Sequence, residues 1–158
     1  MEKLRNPYIG KSGYNCFGCA PDNRHGLKLE FSYRNSCVIA EWKPESFFAG
    51  YENVLHGGIH ASLADETAAW LIMVELDTAG MTSSLSVRYL NPVYVTDKRI
   101  TVCASVLGFD RRKARTMVTI SGQDGKIGSV SEIEYVLFPA ELARKKLHFP
   151  GREAFLNT

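Results

Sequence analysis

His56-Gly57-Gly58-Ile59-His60-Ala61-Ser62-Leu63-Ala64-Asp65-Glu66-Thr67-Ala68-Ala69-Trp70-Leu71-Ile72-Met73-Val74-Glu75-Leu76 is the stretch whose reading decides the fold. From Ile59 onward, Ala61, Leu63, Ala64, Ala68, Ala69, Leu71, Ile72 and Met73 leave little polar face. Apolar residues nearly all round a helix mean burial on most sides. At 1.5 Å per residue, residues 59–76 span about 27 Å, the width of a small domain. His60, Asp65, Glu66 and Glu75 interrupt the run and argue against a membrane span. Gly80 is expected to close the segment.

Around this helix the pattern is that of strands. Residues 27–33 alternate apolar and polar with period two, and residues 37–42 follow after Arg34-Asn35-Ser36, a plausible hairpin turn. Pro44 ends that strand, and the loop 45–55 carries Phe47, Phe48 and Tyr51. Beyond Gly80, residues 82–90, 99–107, 114–121 and 126–137 alternate in turn, with Gly122-Gln123-Asp124-Gly125 a hairpin signal. Two strands, one long helix and a meander of about four strands fit an α+β architecture, an antiparallel sheet with the helix packed on one face. The 158 residues suit a single domain, 1–158, with an irregular lead-in over 1–26 and a tail over 140–158 that begins with a short helix. A helix this apolar needs more cover than its own sheet supplies, and a partner subunit is the simplest source.

Composition narrows the function classes. With 45% hydrophobic and 23% charged residues the chain is ordinary for a globular protein. A net charge of +2, from 19 basic and 17 acidic residues, does not favour nucleic acid as the main partner. The charged start, Met1 to Pro7, does not read as an export signal, so the four cysteines are expected to be reduced thiols in a cytoplasm. Cys16-x-x-Cys19 offers half of a zinc site or a redox pair. No second C-x-x-C exists, and Cys37, Cys103 and His25 stand at no diagnostic spacing; the expectation is a packed turn with a buried thiol and no metal. His56 and His60 stand four apart, but His56 precedes the helix proper.

The chemistry gathers at the helix start. The first turn of a helix has N–H groups without intrahelical partners and a partial positive charge. Two glycines let a ligand approach the backbone, which suits a carbonyl oxygen that becomes negative during acyl transfer. Asp65 lies seven residues after Gly58, two turns on and on the same side, inside an apolar run where a carboxylate is costly unless partnered. Each feature also has a plain structural reading: a turn, a hydrogen-bonded Asp, a core histidine. Glu66, rotated by about 100° from Asp65, is expected to face solvent or an interface.

Residues 55–66, Leu-His-Gly-Gly-Ile-His-Ala-Ser-Leu-Ala-Asp-Glu, resemble the HGG-x6-D signature of hot-dog-fold thioesterases, above all the branch of phenylacetyl-CoA and medium- and long-chain acyl-CoA thioesterases. The likeness continues through residues 82–92, ending in Tyr89-Leu90-Asn91-Pro92, and in the lead-in from Cys16 to Leu27. It implies a hot-dog fold, an antiparallel sheet wrapped around one long central helix, and an acyl-CoA thioesterase with no cofactor beyond the coenzyme A of its substrate. It also implies a homodimer, or a dimer of dimers, whose sites are shared, so that Asp65 and Gly58 of one site come from different subunits. By the same resemblance Asp65 attacks the thioester or activates water, and the Gly58 N–H, with Gly57 beside it, polarises the carbonyl. Thr82 orients water or the carboxylate, and His56 orients the thioester end or its leaving group.

One position departs from the pattern. Several relatives carry Asn or Gln about six residues before the His, where this chain has Gly50; either Tyr51 or Asn53 substitutes, or this arm of the site is absent. Arg111, Arg112 and Lys113, at a turn, suit the phosphates of coenzyme A, with Arg88 a further candidate. Phe47, Phe48, Tyr51 and Trp70 are candidates for an acyl pocket or for the core. The same fold also admits a non-catalytic acyl-CoA-binding sensor or scaffold. A hydratase is a third reading, which the His56–Asp65 pattern does not match.

Overall fold

The computed structural model describes residues 1–157; Thr158, the last residue of the expected tail, lies outside the described residues. In chain order the elements are β1 (Glu2–Lys3), β2 (Phe31–Arg34), β3 (Cys37–Trp42), α1 (Gly57–Glu75), β4 (Gly80–Tyr89), β5 (Ile100–Phe109), β6 (Lys113–Ser121), β7 (Ile127–Leu137) and α2 (Ala140–Leu147). Short 3-10 turns occur at Ser46–Phe48 and Arg152–Phe155. The strands form one seven-stranded sheet in the order β1-β2-β3-β5-β6-β7-β4, with every neighbouring pair antiparallel. The helix α1 packs against β3 to β7, the α+β arrangement expected from the sequence.

Local chemistry explains the turns that hold this register. Arg34 pairs with Cys37 across the β2–β3 hairpin, and the two residues between them, Asn35 and Ser36, both have positive φ, 50° and 57°. That is the primed two-residue turn whose twist matches antiparallel strands. At the β6–β7 hairpin Gly125 takes φ 77°, and the Gly122 N–H closes the turn on the Lys126 carbonyl. Alternate residues of β6 and β7 then point inward: Ala114, Thr116, Val118 and Ile120 on one strand, Ser129, Ser131, Ile133 and Tyr135 on the other, all buried. Leu63, Ala64, Ala68, Leu71 and Ile72 of α1 fill the space against them.

Three expectations change. The helix ends at Glu75, not at Gly80: Asp77 turns the chain at φ 48°. Gly80 instead opens β4, where a Cβ would sit 2.5 Å from the Val136 carbonyl oxygen. The expected strand over 27–33 becomes regular only at Phe31. Leu27 and Leu29 still face inward, but their N–H groups bond the Phe17 and Gly18 carbonyls of the lead-in. Finally, the tail contributes to the core. Phe149 and Phe155 are buried, and Phe155 meets Trp70 edge-on at 5.2 Å while Trp70 stacks on Phe31 at 4.3 Å. Trp70 and Phe48 are therefore core residues, whereas Phe47 and Tyr51 remain 61% and 86% exposed.

Candidate active site

The start of α1 is set by His56, whose backbone is extended (φ −61°, ψ 136°) and whose side chain caps the helix. The Gly58 N–H donates to His56 Nδ1 at 2.9 Å. An imidazole that accepts at Nδ1 carries its proton on Nε2, so the neutral His56 ring presents an N–H donor outward. The cap also uses the Gly58 N–H that the sequence singled out. The Gly57 N–H, one residue earlier, has no hydrogen-bond acceptor among the described residues. Its carbonyl accepts the Tyr89 hydroxyl at 2.8 Å, which ties the end of β4 to the helix start. Tyr51, Leu55, Gly57, Gly58, His60 and Tyr89 share one open cleft of about 470 Å³. Asn53 takes a left-handed conformation, φ 60°, and its carbonyl accepts the Val95 N–H. An Asn at a left-handed turn position is explained by that backbone demand.

Asp65, half-buried on α1, is held from the sheet. Thr82 Oγ1 donates to Asp65 Oδ1 at 2.6 Å. The Tyr135 hydroxyl donates toward the same Oδ1 at 3.1 Å and toward the Asp65 carbonyl at 2.9 Å. Thr82 and Tyr135 are direct cross-strand partners, and a register shift just after Thr82 lets β4 turn that residue to the helix. Burial, then the nearby Asp65 charge, raise the Tyr135 phenol above its ordinary range, so it stays a protonated donor. With both hydroxyls on Oδ1, Oδ2 has no protein partner among the described residues. Tyr135 was not singled out from the sequence; its only signal is its place in the inward row of β7.

His60 is a packed core histidine. It is 3% exposed, its Nδ1 lies 2.8 Å from Ser129 Oγ, and the Tyr89 ring meets it edge-on at 5.5 Å. His56 Nδ1 accepts from Gly58 and His60 Nδ1 is engaged with Ser129. Burial pushes the His60 pKa down to about 4 from 6.5. An unfolded chain therefore protonates this ring near pH 6.5 and the folded chain only near pH 4. The unfolded state binds more protons in that window, so stability falls as pH drops from about 6.5 to about 4, by at most about 3 kcal/mol and less where water reaches the ring. Urea melts at a series of pH values are expected to show this slope in the wild type and not in His60→Asn; equal slopes would refute it.

The basic turn between β5 and β6 is only partly free. Asp110 Oδ1 accepts the backbone N–H groups of Arg112 and Lys113 at 2.7 and 3.0 Å. Lys113 Nζ is paired with Glu134 at 2.8 Å. Arg111 and Arg112 are exposed and have no carboxylate partner among the described residues. Ala114, Tyr135 and Thr82 lie in one row across β6, β7 and β4. Ala114, just after the turn, is two strand spacings or about 10 Å from Thr82, so the turn sits at the Asp65 end of the sheet. Arg88 is exposed near the other end of β4.

The fold is the hot-dog fold. The chain matches the sequence model of the Thioesterase superfamily over residues 52–129, a segment that runs from the loop before α1 into β7. No curated protein sequence matches it. Among solved structures it is similar to a thioesterase superfamily protein, with 25% identity, a TM-score of 0.68 and 73% of this chain covered. This chain spans only 57% of the length of that relative. It is also similar to zebra fish thioesterase superfamily member 2, at 25% identity and TM-score 0.66 over 75% of this chain and 90% of that one. A hypothetical thioesterase from Streptococcus pneumoniae, solved with coenzyme A, shares the fold at 21% identity and TM-score 0.65, over 71% of this chain and 90% of that one.

Proposed function

We propose that this protein is an acyl-CoA thioesterase in which Asp65 is the attacking or water-activating carboxylate. The observation that carries the reading is the grip of Thr82 and Tyr135 on Oδ1, which holds the carboxylate in place and leaves Oδ2 free. Overall, water adds to the thioester carbonyl, the C–S bond breaks, and the products are the free acid and the coenzyme A thiol. No cofactor is needed beyond the coenzyme A of the substrate. The likeness to thioesterases, and the coenzyme A in one of the similar structures, support the class of ligand.

The carbonyl oxygen needs a donor where negative charge develops. Gly57 fits this task better than Gly58, because its N–H is unengaged and points from the positive end of α1. Yet seven residues of helix separate Gly58 from Asp65, about 10 Å along the axis. One carbonyl cannot touch both ends in a single chain. The reading therefore includes a homodimer in which Asp65 of one subunit serves a thioester held at Gly57 and His56 of the other, with pairs of dimers a further assembly. β4 supports this: it is the last strand of the sheet, ten residues long and exposed at most positions. Met81, Tyr89 and Leu90 add exposed apolar side chains, each more than half exposed. A long, unprotected edge strand is a template for pairing with another chain.

Within this reading Arg111 and Arg112 take the coenzyme A phosphates, Lys113 being held by Glu134, and Tyr51 lines the cleft beside His56, with Asn53 in the turn that precedes it. The setting is cytoplasmic, in keeping with four free thiols; no helix among the described residues is long and apolar enough to cross a membrane. The experiment is release of free thiol from a panel of acyl-CoAs and acyl-carrier thioesters by the purified protein. Turnover of at least one acyl-CoA is expected. Tight acyl-CoA binding without turnover would instead favour a sensor or scaffold, and the absence of both binding and turnover would overturn the proposal.

A further inference from the structure

The lead-in turn at Cys16-Phe17-Gly18-Cys19 does more than pack. It closes over the middle of α1, with the Ala20 N–H on the Cys16 carbonyl at 3.1 Å and the Cys19 N–H on Cys16 Sγ at 3.4 Å. Glu66, expected to face solvent or an interface, reaches into this turn instead. Both of its carboxylate oxygens lie 3.5 Å from Cys16 Sγ. One ligand atom from each of Cys16, Cys19 and Glu66 falls within 4.8 Å of the other two. A Cβ on Gly18 would lie 2.3 Å from Glu66 Cδ, so only glycine admits the carboxylate. Among the described residues no Lys or Arg pairs with Glu66.

We propose that Cys16, Cys19 and Glu66 form a binding site for a thiolate-preferring divalent cation of the zinc type. Zinc binds thiolate sulfur at about 2.3 Å and carboxylate oxygen at about 2.0–2.2 Å with tetrahedral geometry. Those lengths require sulfur and oxygen to stand roughly 3.5–3.7 Å apart, the spacing seen between Cys16 and Glu66. Two sulfur ligands select zinc-like metals over magnesium or calcium. The supporting contacts of a metal site are also present. Trp70 Nε1–H donates to Glu66 Oε1 at 3.2 Å, and the Tyr14 hydroxyl lies 3.0 Å from Cys19 Sγ.

The fourth position opens on a cavity of about 630 Å³ lined by Tyr8, Lys11, Tyr14 and Met73 among others, where water completes the coordination. Binding one dication releases the two thiol protons to solvent and leaves the centre with one net negative charge, toward which Lys11 supplies a compensating one. The cation joins the lead-in to α1 at the residue next to Asp65. Cys37, Cys103 and His25, the completing ligands open to a reading of spacing, take no part in this cluster. A Cys16–Cys19 disulfide would need an oxidant, and it would leave Glu66 and the requirement for Gly18 unexplained.

The test is metal titration of the full chain, purified under reducing conditions, stripped with a chelator and freed of it. One equivalent of Zn²⁺ or Co²⁺ is expected to bind per chain. The cobalt form should show thiolate-to-metal charge-transfer absorption, and about two protons should be released per ion. Cys16→Ser and Cys19→Ser should each weaken binding at least about tenfold. Glu66→Gln keeps both thiols and an acceptor for Trp70, so it tests the site even if a cysteine variant does not fold; it too should lose about tenfold or more. Zinc should raise the thermal midpoint of the wild type and not of Glu66→Gln. Absence of stoichiometric binding, or cobalt binding unchanged by Glu66→Gln, would overturn the proposal. None of these readouts depends on thioester turnover, so they fail or succeed separately from the hydrolase reading.

Discussion

Asp65→Asn is expected to lower kcat for acyl-CoA hydrolysis by about 10²- to 10⁴-fold, the usual worth of a positioned base, with little change in KM. The substitution is nearly isosteric and keeps an oxygen for the Thr82 and Tyr135 hydroxyls, which meet Oδ1 at 2.6 and 3.1 Å. What it replaces is Oδ2, the oxygen with no protein partner, by an amide nitrogen that offers no lone pair for attack or proton abstraction. Thermal stability should therefore stay close to wild type, which separates a chemical defect from a folding one. Thr82→Val removes a single donor to a charged acceptor, worth about 1.5–3 kcal/mol, and should slow turnover by roughly one to two orders of magnitude. Steady-state thiol release on the three proteins checks the order. An Asp65→Asn protein at full rate would refute the assignment.

The parts of this fold that depend on short-range pattern were legible. The apolar run after Gly58 reads as α1 because apolar residues lie nearly all round it, and the hairpins at Asn35-Ser36 and Gly122–Gly125 carry the turn residues their geometry demands. Asp65 and Thr82 were also named, and the structure brings them into contact. What stayed hidden depends on pairing between distant segments. Tyr135 reaches Asp65 only because β7 lies beside β4 in one register, and an inward Tyr on a strand has no local mark of a functional partner. Glu66 meets Cys16 because the lead-in folds back over α1, a contact that helical rotation alone assigns to solvent. Phe155 reads as a loose tail residue until Trp70 is seen beneath it. The engagement of the Gly58 N–H by His56 Nδ1 is likewise invisible to spacing. Spacing locates a helix start, but which N–H remains free is decided by the side chain that caps it, here His56.

The proposed shared site makes a sharper demand than any single substitution. Gly57→Pro is expected to abolish most activity, by about 10²- to 10³-fold, since it deletes one oxyanion donor. Proline is well tolerated at the first helical position, and His56 before it is already extended at ψ 136°, as a residue preceding proline must be. The Tyr89 ring, whose hydroxyl would be 3.0 Å from a Cβ at Gly57, has only to yield slightly from an exposed position. Gly57→Pro and Asp65→Asn homodimers should both be nearly inactive. Mixed under conditions that let subunits exchange, they form about half heterodimers, as random pairing at a two-fold interface requires. If a site takes Asp65 from one subunit and Gly57 from the other, as proposed, each heterodimer holds one site with both defects and one site with none. The mixture should therefore recover about a quarter of wild-type activity. If both groups instead acted within one chain, every chain in the mixture would carry a defect and no activity would return.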